Sequence, residues 1–145
     1  MAFEKSSKMT VSECIKNLIA VIICLIAAIL IIPIFFGLKP FIVMSGSMSP
    51  AVKTGSLAYI NTHTVQSEIK EGDIIAFESD GMIITHRVIE IRDGKFITKG
   101  DANNSFDSAE GIDAGIIGRM EYSVPLAGYL AYFIQTPLKI FRKET

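Results

Sequence analysis

The sequence predicts a mostly β protein: a small antiparallel β-sheet or barrel, tethered to a membrane by an N-terminal helix. Three features lead to this fold class. An uncharged apolar run lies near the N-terminus, five short β-prone runs follow it, and a second apolar segment lies near the C-terminus. The 145 residues correspond to one domain, half of them are apolar, and the mean hydropathy is +0.42.

The first apolar run, residues 18–38 (LIAVIICLIAAILIIPIFFGL), contains no charged residue. A helix of this length extends about 31 Å, which is close to the thickness of a bilayer's hydrocarbon core. The apolar region of a cleaved signal peptide is shorter, about 7–15 residues, and ends in a small-x-small sequence. This run instead ends in Phe35-Phe36-Gly37-Leu38. We therefore expect an uncleaved transmembrane anchor, which makes the lipid bilayer a partner.

Charges on either side of the anchor predict its orientation. Lys5, Lys8 and Lys16 precede the run, whereas only Lys39 follows it closely. The positive-inside rule places residues 1–17 in the cytoplasm. Everything after the anchor is then extracytoplasmic, at the plasma membrane.

The second apolar segment, VPLAGYLAYFIQTPL at 124–138, is short for a span and contains Gln135 and Pro137. Basic residues follow it at Lys139, Arg142 and Lys143. Three structures fit: a returning span, an interfacial helix on anionic lipid, and a buried helix of the domain. We expect a spanning or interfacial hydrophobic helix over residues 124–141, followed by a basic tail, residues 142–145.

The segment between the two apolar regions, residues 39–123, is expected to be an extracytoplasmic β-rich domain. Its β-prone runs are 56–60, 73–77, 82–91, 95–98 and 116–124, and glycine-containing turns such as Asp80-Gly81 precede them. Asp-Gly before an alternating run indicates a hairpin, and strands at this spacing predict a small barrel or folded-over sheet. Residues 101–114 are polar and predicted to form a loop.

The first segment that could carry chemistry is Ser45-Gly46-Ser47-Met48-Ser49-Pro50, soon after the anchor. Glycine gives the neighbouring serines little steric cover, so a substrate carbonyl could approach them. If the segment is extended, Ser45 and Ser47 share a face. One could then attack while the other donates to the developing oxyanion. A flexible linker is the alternative.

The second candidate is His86, which lies between Ile84 and Val88 on a predicted strand. Residues two apart share a face of a strand, so the imidazole is expected among apolar side chains. There it could act as a neutral base. The alternative is a histidine with a purely structural role.

The third candidate is the loop Lys99-Gly100-Asp101-Ala102-Asn103-Asn104-Ser105-Phe106-Asp107. It offers two carboxylates, Asp101 and Asp107, and either could orient the imidazole and stabilise its charged form. Ordinary turn capping by Asp and Asn is the alternative.

The sequence gives little support to metal, phosphate or nucleic-acid binding. Its two histidines are far apart and no cysteine lies outside the anchor region, so zinc-like spacing is missing. The aspartates lack the glycine and glutamate of an EF-type calcium loop, and no phosphate-binding glycine loop occurs. The net charge of −1 disfavours electrostatic binding of nucleic acid. We therefore expect no metal, no cofactor and no nucleic-acid partner.

Together, and in this order, these features resemble type I signal peptidase. The resemblance covers the whole chain and is carried by the anchor and by SGSMSP at 45–50, GDIIAF at 72–77, THRV at 85–88, KGDANN at 99–104 and Asp107. The chain is similar to the serine–histidine subgroup typical of the endoplasmic reticulum and archaea, which also occurs in spore-forming Gram-positive bacteria. The commoner bacterial subgroup has a lysine base where this chain has His86.

The resemblance implies a role for each matching residue. Ser47 would be the nucleophile, and Ser45 and the Ser47 amide would be the oxyanion-hole donors. His86 would be the general base. Asp107 and Asp101 match two acidic positions of the family; which of them contacts His86 is open, and we favour Asp107.

The resemblance also implies a mostly β fold and a membrane-bound serine endopeptidase that needs no cofactor. Its substrates would be secretory preproteins, whose signal peptides are cut after a small-x-small sequence. Ala102 departs from the family pattern, in which asparagine commonly follows this aspartate.

Two other functions are weighed. A non-catalytic membrane adaptor or export factor could use the same scaffold, although all the proposed catalytic residues are present. A self-cleaving repressor-type peptidase is disfavoured by the anchor and by His86. The sequence leaves open which preproteins are cut, any partner subunit and the oligomeric state.

Overall fold

A computed structural model describes residues 10–133 of the chain. The chain divides into two compact units, an N-terminal one up to Phe36 and a β domain from Gly37 onwards. The elements follow the order α1 (Val11–Phe35), β1 (Leu38–Ile42), β2 (Leu57–Asn61), a 3₁₀ turn (Gln66–Glu68), β3 (Ile74–Ser79), β4 (Met82–Arg92), β5 (Lys95–Lys99) and β6 (Ile116–Val124).

The first element, α1, begins with a capping box. The Thr10 hydroxyl accepts from the backbone N–H of Glu13, and the Glu13 carboxylate accepts from the N–H of Thr10. The helix ends at Phe35, and Gly37 follows with φ of +84°, a conformation that glycine adopts without strain. By length and composition α1 is able to cross a membrane.

The bounds of α1 differ from those of the apolar run at 18–38. The helix starts earlier because the capping box at Thr10 satisfies its first amides. It stops earlier because Gly37 turns the chain, so that Leu38 becomes the first residue of β1. Sequence patterning did not predict β1, in which Pro40 breaks the strand signal. Proline is tolerated there because β1 is an edge strand.

The β domain contains a six-stranded sheet in the order β1-β2-β6-β3-β4-β5. Every neighbouring pair is antiparallel. The predicted mostly β fold is therefore confirmed. The five predicted strands occur with their ends displaced by a few residues at most, and β6 has the predicted bounds.

Apolar side chains cover both faces of the first four residues of β3, Ile74 to Phe77, which are all apolar and buried. Phe77 and Val88 belong to one cluster, together with Ile69, Ile75 and Phe96. On the other side Ile74 packs with Met48 and Val52, which immediately follow the serine-rich segment. The core thus packs against β4 through Val88 and, through Met48 and Val52, also fixes the segment that carries the candidate serines.

The first half of β4 presents an open edge. Arg87 to Arg92 pair with β5, whereas Met82 to His86, within the part of the chain that the structure describes, pair only with β3. The outer edge of β5 is partly covered, because Phe96 forms an antiparallel bridge with Ile112 of the following loop. Unpaired backbone groups of β4 therefore adjoin His86.

The predicted C-terminal segment begins inside the β domain, since Val124 is the last residue of β6. Residues 127–133 are helical. The Gly128 amide donates to the Gly55 carbonyl at 3.0 Å, and the Tyr129 ring lies directly against Gly55. Residues 134–145 lie outside the described residues, so a second span and the basic tail stay predictions.

Candidate active site

The backbone of Ser47 is held from two sides. Ser47 opens a tight turn between β1 and β2, in which the Val52 amide donates to the Met48 carbonyl at 2.8 Å. Met48 and Val52 are each only 2% exposed, so they fix this turn to the core. From the opposite side, the Ala102 amide donates to the Ser47 carbonyl at 2.8 Å.

His86 projects from β4 into the apolar interior, with only 7% of its side chain exposed. Val88, on the same face of the strand, is fully buried, and the Phe77 ring packs against the imidazole in an edge-type arrangement, with 6.4 Å between the ring centroids and 66° between the ring planes. This is the environment that the alternation of apolar residues in β4 predicts.

The imidazole of His86 bridges Ser47 and Asp107. Its Nε2 lies 3.0 Å from the Ser47 Oγ, and its Nδ1 lies 2.7 Å from the Asp107 Oδ2. An ionised carboxylate can only accept, so Nδ1 carries the hydrogen and donates it. In the neutral imidazole Nε2 then holds a lone pair that accepts the Ser47 hydroxyl proton. The arrangement can remove a proton from Ser47 and stabilise the resulting positive charge beside Asp107.

Asp107 is itself fixed by Thr98 on β5. The Thr98 hydroxyl donates to the Asp107 Oδ2 at 2.7 Å, and the Thr98 carbonyl accepts from the Asp107 amide at 2.9 Å. Sequence reasoning missed Thr98. The signal that could have found it is a hydroxyl at an inward-facing position of a strand that leads into the acidic loop.

Asp101 is bound to Arg87 and makes no hydrogen bond to His86. The Arg87 Nε and Nη2 donate to the two carboxylate oxygens at 2.8 and 2.7 Å, and Nη1 donates to the Gly72 carbonyl at 2.8 Å. These hydrogen bonds lower the pKa of the Asp101 carboxyl and raise the pKa of the Arg87 guanidinium. Of the two candidate carboxylates, Asp107 is the one in contact with His86. The bonding role of Arg87 was not predicted, although it directly follows His86 in the sequence.

The loop after β5 lies close to Ser47 because residue 100 is glycine. A Cβ on Gly100 would lie 2.7 Å from the Ser47 carbonyl oxygen and 2.8 Å from the Asn103 Nδ2. The loop's hydrogen bond to Ser47 comes from the backbone of Ala102. Since that bond does not involve a side chain, alanine at position 102 is compatible with it.

Ser45 lies on the same side of the segment as Ser47, with 3.1 Å between their Oγ atoms. When the Ser47 hydrogen points to Nε2 of His86, the Ser45 hydroxyl is the donor in this pair. A hydroxyl donor thus stands beside the atom that would attack.

A cleft of about 420 Å³ opens onto Ser47 and His86. One wall consists of β1 and the segment that follows it, from Phe41 to Ser45, and the other consists of Met82 to His86 of β4. Most of the lining side chains are apolar. Within residues 10–133, no group of three or more His, Cys, Asp or Glu side chains is placed to hold a metal ion.

Comparison with known proteins connects this geometry to a family. The family model described as "Signal peptidase, peptidase S26" matches residues 15–89, just over half of the chain. The matched segment includes Ser45, Ser47 and His86 but ends before Asp101 and Asp107. The family model therefore does not bear on the two carboxylates, whose contacts come from the geometry.

Individual relatives are similar over part of their length. Signal peptidase I W of Bacillus subtilis is 38% identical over 96 residues, which cover 63% of this chain and 50% of the relative. The signal peptidase complex catalytic subunit sec11 of Neurospora crassa is 32% identical over 106 residues, 64% of this chain and 62% of the relative. Human SEC11C, also a signal peptidase complex catalytic subunit, is 41% identical over 73 residues, which cover 46% of this chain and 37% of the relative. The aligned part is thus less than two thirds of each relative.

Proposed function

Since this chain belongs to the signal peptidase family, peptidase S26, we propose that it is a membrane-bound serine endopeptidase that removes N-terminal signal peptides from secretory preproteins. The observation that carries the proposal is the continuous hydrogen-bonded chain from Ser47 through His86 to Asp107. This order of nucleophile, base and orienting acid is one arrangement that supports acyl transfer by serine.

In the first step of the proposed reaction, the Ser47 Oγ attacks the scissile carbonyl carbon while Nε2 of His86 takes its proton. The carbonyl oxygen becomes an oxyanion. We assign its donors to the Ser47 amide and to the Ser45 hydroxyl, which is already 3.1 Å from the attacking oxygen. Asp107 stabilises the imidazolium that forms.

In the following steps the imidazolium of His86 gives its proton to the leaving amine. That amine becomes the new N-terminus of the mature protein, and the signal peptide stays esterified to Ser47. Water then attacks the ester carbon while His86 takes its proton, and His86 returns a proton to the Ser47 Oγ as the C–O bond breaks, so that the signal peptide is released with a free carboxyl group.

The open edge of β4 suggests how the substrate is held. Among residues 10–133, Met82 to His86 pair only with β3, and the cleft runs between them and the segment from Phe41 to Ser45. We propose that the preprotein enters as an extended strand along this edge. Alternate residues of a strand face the same way, so a small-x-small sequence presents two small side chains to one wall. Walls packed with apolar side chains would exclude larger residues there.

The proposed topology places residues 1–17 in the cytoplasm, the anchor helix in the lipid bilayer, and the β domain outside the plasma membrane. Ser47 lies twelve positions after Phe35 in the sequence. Even fully extended this stretch reaches about 40 Å, so the nucleophile stays close to the membrane from which a signal peptide emerges.

The test is cleavage of one preprotein with a small-x-small site by the full chain in lipid, with the new N-terminus located by mass spectrometry. Wild type should cut after the small residue and Ser47→Ala should not. Ser49→Ala is the matched control, since this exposed serine of the same segment should be dispensable. Equal cleavage by wild type and Ser47→Ala would refute the assignment of the nucleophile. No cleavage by either protein would favour an adaptor or export factor instead.

A further inference from the structure

One carboxylate oxygen at the site receives two hydrogen bonds. The Asp107 Oδ2 accepts from the His86 Nδ1 and from the Thr98 Oγ1, each at 2.7 Å. A carboxylate oxygen has two lone pairs, and both are used here. The direction of the bond to His86 therefore depends on the bond from Thr98.

We propose that Thr98 is a positioning residue of the reaction, whose hydroxyl holds the Asp107 carboxylate in the orientation that meets His86. The proposal rests on the proposed peptidase function. Thr98 does not touch the substrate cleft; it acts through Asp107.

The position of Thr98 suits this role. It lies on β5 opposite Val88, two residues along β4 from His86, and none of its surface is exposed. Its carbonyl also accepts the Asp107 amide at 2.9 Å. Asp107 belongs to a loop, but both its backbone and its side chain are hydrogen-bonded to β5. This strand is the neighbour of β4, which carries His86.

Without the Thr98 hydroxyl, Asp107 would lose the bond that limits its rotation. The Asp107 side chain is 18% exposed, so a released carboxylate could turn towards water. His86 would then spend less time with Nδ1 bonded and Nε2 directed at Ser47. Because Thr98 lies away from the cleft, the loss should appear in kcat and leave KM unchanged.

The experiment compares Thr98→Val, which keeps the shape but removes the hydroxyl, with Thr98→Ser, which keeps the hydroxyl. With a peptide that contains a small-x-small site, we expect Thr98→Val to lower kcat about tenfold or more with KM within about twofold. Thr98→Ser should retain kcat within about threefold. A wild-type kcat in Thr98→Val, or an equal loss in both variants, would overturn the proposal.

Thr64→Val is the matched control for loss of a buried threonine hydroxyl. The Thr64 hydroxyl is buried and has no hydrogen-bond partner in the described part of the chain. We expect this variant to keep the wild-type kcat. Thermal melting of each variant reports separately whether it is folded. If Thr64→Val lost as much kcat as Thr98→Val, the effect would be a general one of threonine removal and the proposal would be wrong.

A double-mutant cycle distinguishes action through Asp107 from a general structural effect. In an Asp107→Ala background, Thr98→Val should cause no further loss of kcat, since its target is already gone. A second loss of the same factor would overturn the proposal.

Wild type and Ser47→Ala are measured in the same assay. If wild type cleaves and Ser47→Ala does not, the proposed function stands whatever the Thr98 variants do. If wild type fails to cleave, the proposed function and this inference fall together.

Discussion

The guanidinium of Arg87 binds both carboxylate oxygens of Asp101, at 2.8 and 2.7 Å. Arg87 directly follows His86 on β4, and neighbouring residues of a strand point to opposite faces. The strand therefore directs one side chain towards Ser47 and Asp107 and the next towards Asp101. Two acids that look equivalent in the sequence thus have different surroundings.

Loss of this ion pair should destabilise the β domain in a pH-dependent way. We expect Asp101→Asn to lower the free energy of unfolding by about 1–3 kcal/mol at pH 7, because the Arg87 charge loses its partner. The pKa of Asp101 is lowered in the folded state, so its stabilisation is complete above the ordinary value of 3.8. This stabilisation is lost as the pH falls through the lowered pKa that Asp101 has in the folded state. The gap between wild type and variant should therefore narrow below about pH 3.8.

Denaturant unfolding at a series of pH values measures this gap. Asp93→Asn is a suitable control, because Asp93 lies in the exposed turn between β4 and β5. A gap that stays constant from pH 7 to pH 3, or an Asp101→Asn variant as stable as wild type, would show that the ion pair does not stabilise the fold.

Gly100→Ala should impair cleavage by moving Ser47. The added Cβ would lie 2.7 Å from the Ser47 carbonyl oxygen, which must then shift. A displacement of the nucleophile by a fraction of an ångström reduces reactive alignment, and we expect kcat to fall about tenfold or more. Cleavage kinetics check this, with Asn104→Ala as an exposed control in the same loop. Wild-type kcat in a folded Gly100→Ala would mean that the loop does not hold Ser47.

Gly55→Ala should lower the melting temperature more than Gly94→Ala does. Both glycines have a positive φ, +78° and +77°, so the backbone strain of an alanine is matched. A Cβ at Gly55 would collide with the Tyr129 ring, whereas no atom of the described residues beyond its chain neighbours lies within 4 Å of a Cβ at Gly94. The difference between the two variants therefore reports the packing of Tyr129 against the β domain. Equal melting temperatures would contradict that packing.

Much of the fold could be predicted from the sequence because it depends on local patterns. The Asp-Gly turns before β4 and β5, and the short apolar run of β3, mark these strands directly. β1 was missed because Leu38 continues the apolar run and Pro40 interrupts the strand pattern. Only its position at the sheet edge makes that proline acceptable.

The candidate site could be predicted only as far as residue types reveal chemistry. Ser47 and His86 stand out because glycine and apolar neighbours surround them. Asp101 and Asp107 could not be separated, since their partners come from other strands and depend on strand register. Thr98 gave only a weak signal, its hydroxyl at an inward-facing strand position, because threonine is common in strands and its role depends on one hydrogen bond to the following loop.

We propose that His86, and no lysine, is the base for Ser47, and cleavage rates of single-residue variants test this role. Purified wild type, His86→Ala, Lys53→Ala and Lys99→Ala would be given the same preprotein in lipid, and the first-order rate of signal-peptide release would be measured. We predict a loss of about 1000-fold or more for His86→Ala, and rates within about threefold of wild type for both lysine variants. A folded His86→Ala that cleaves at the wild-type rate, or a lysine variant that is inactive, would contradict the account.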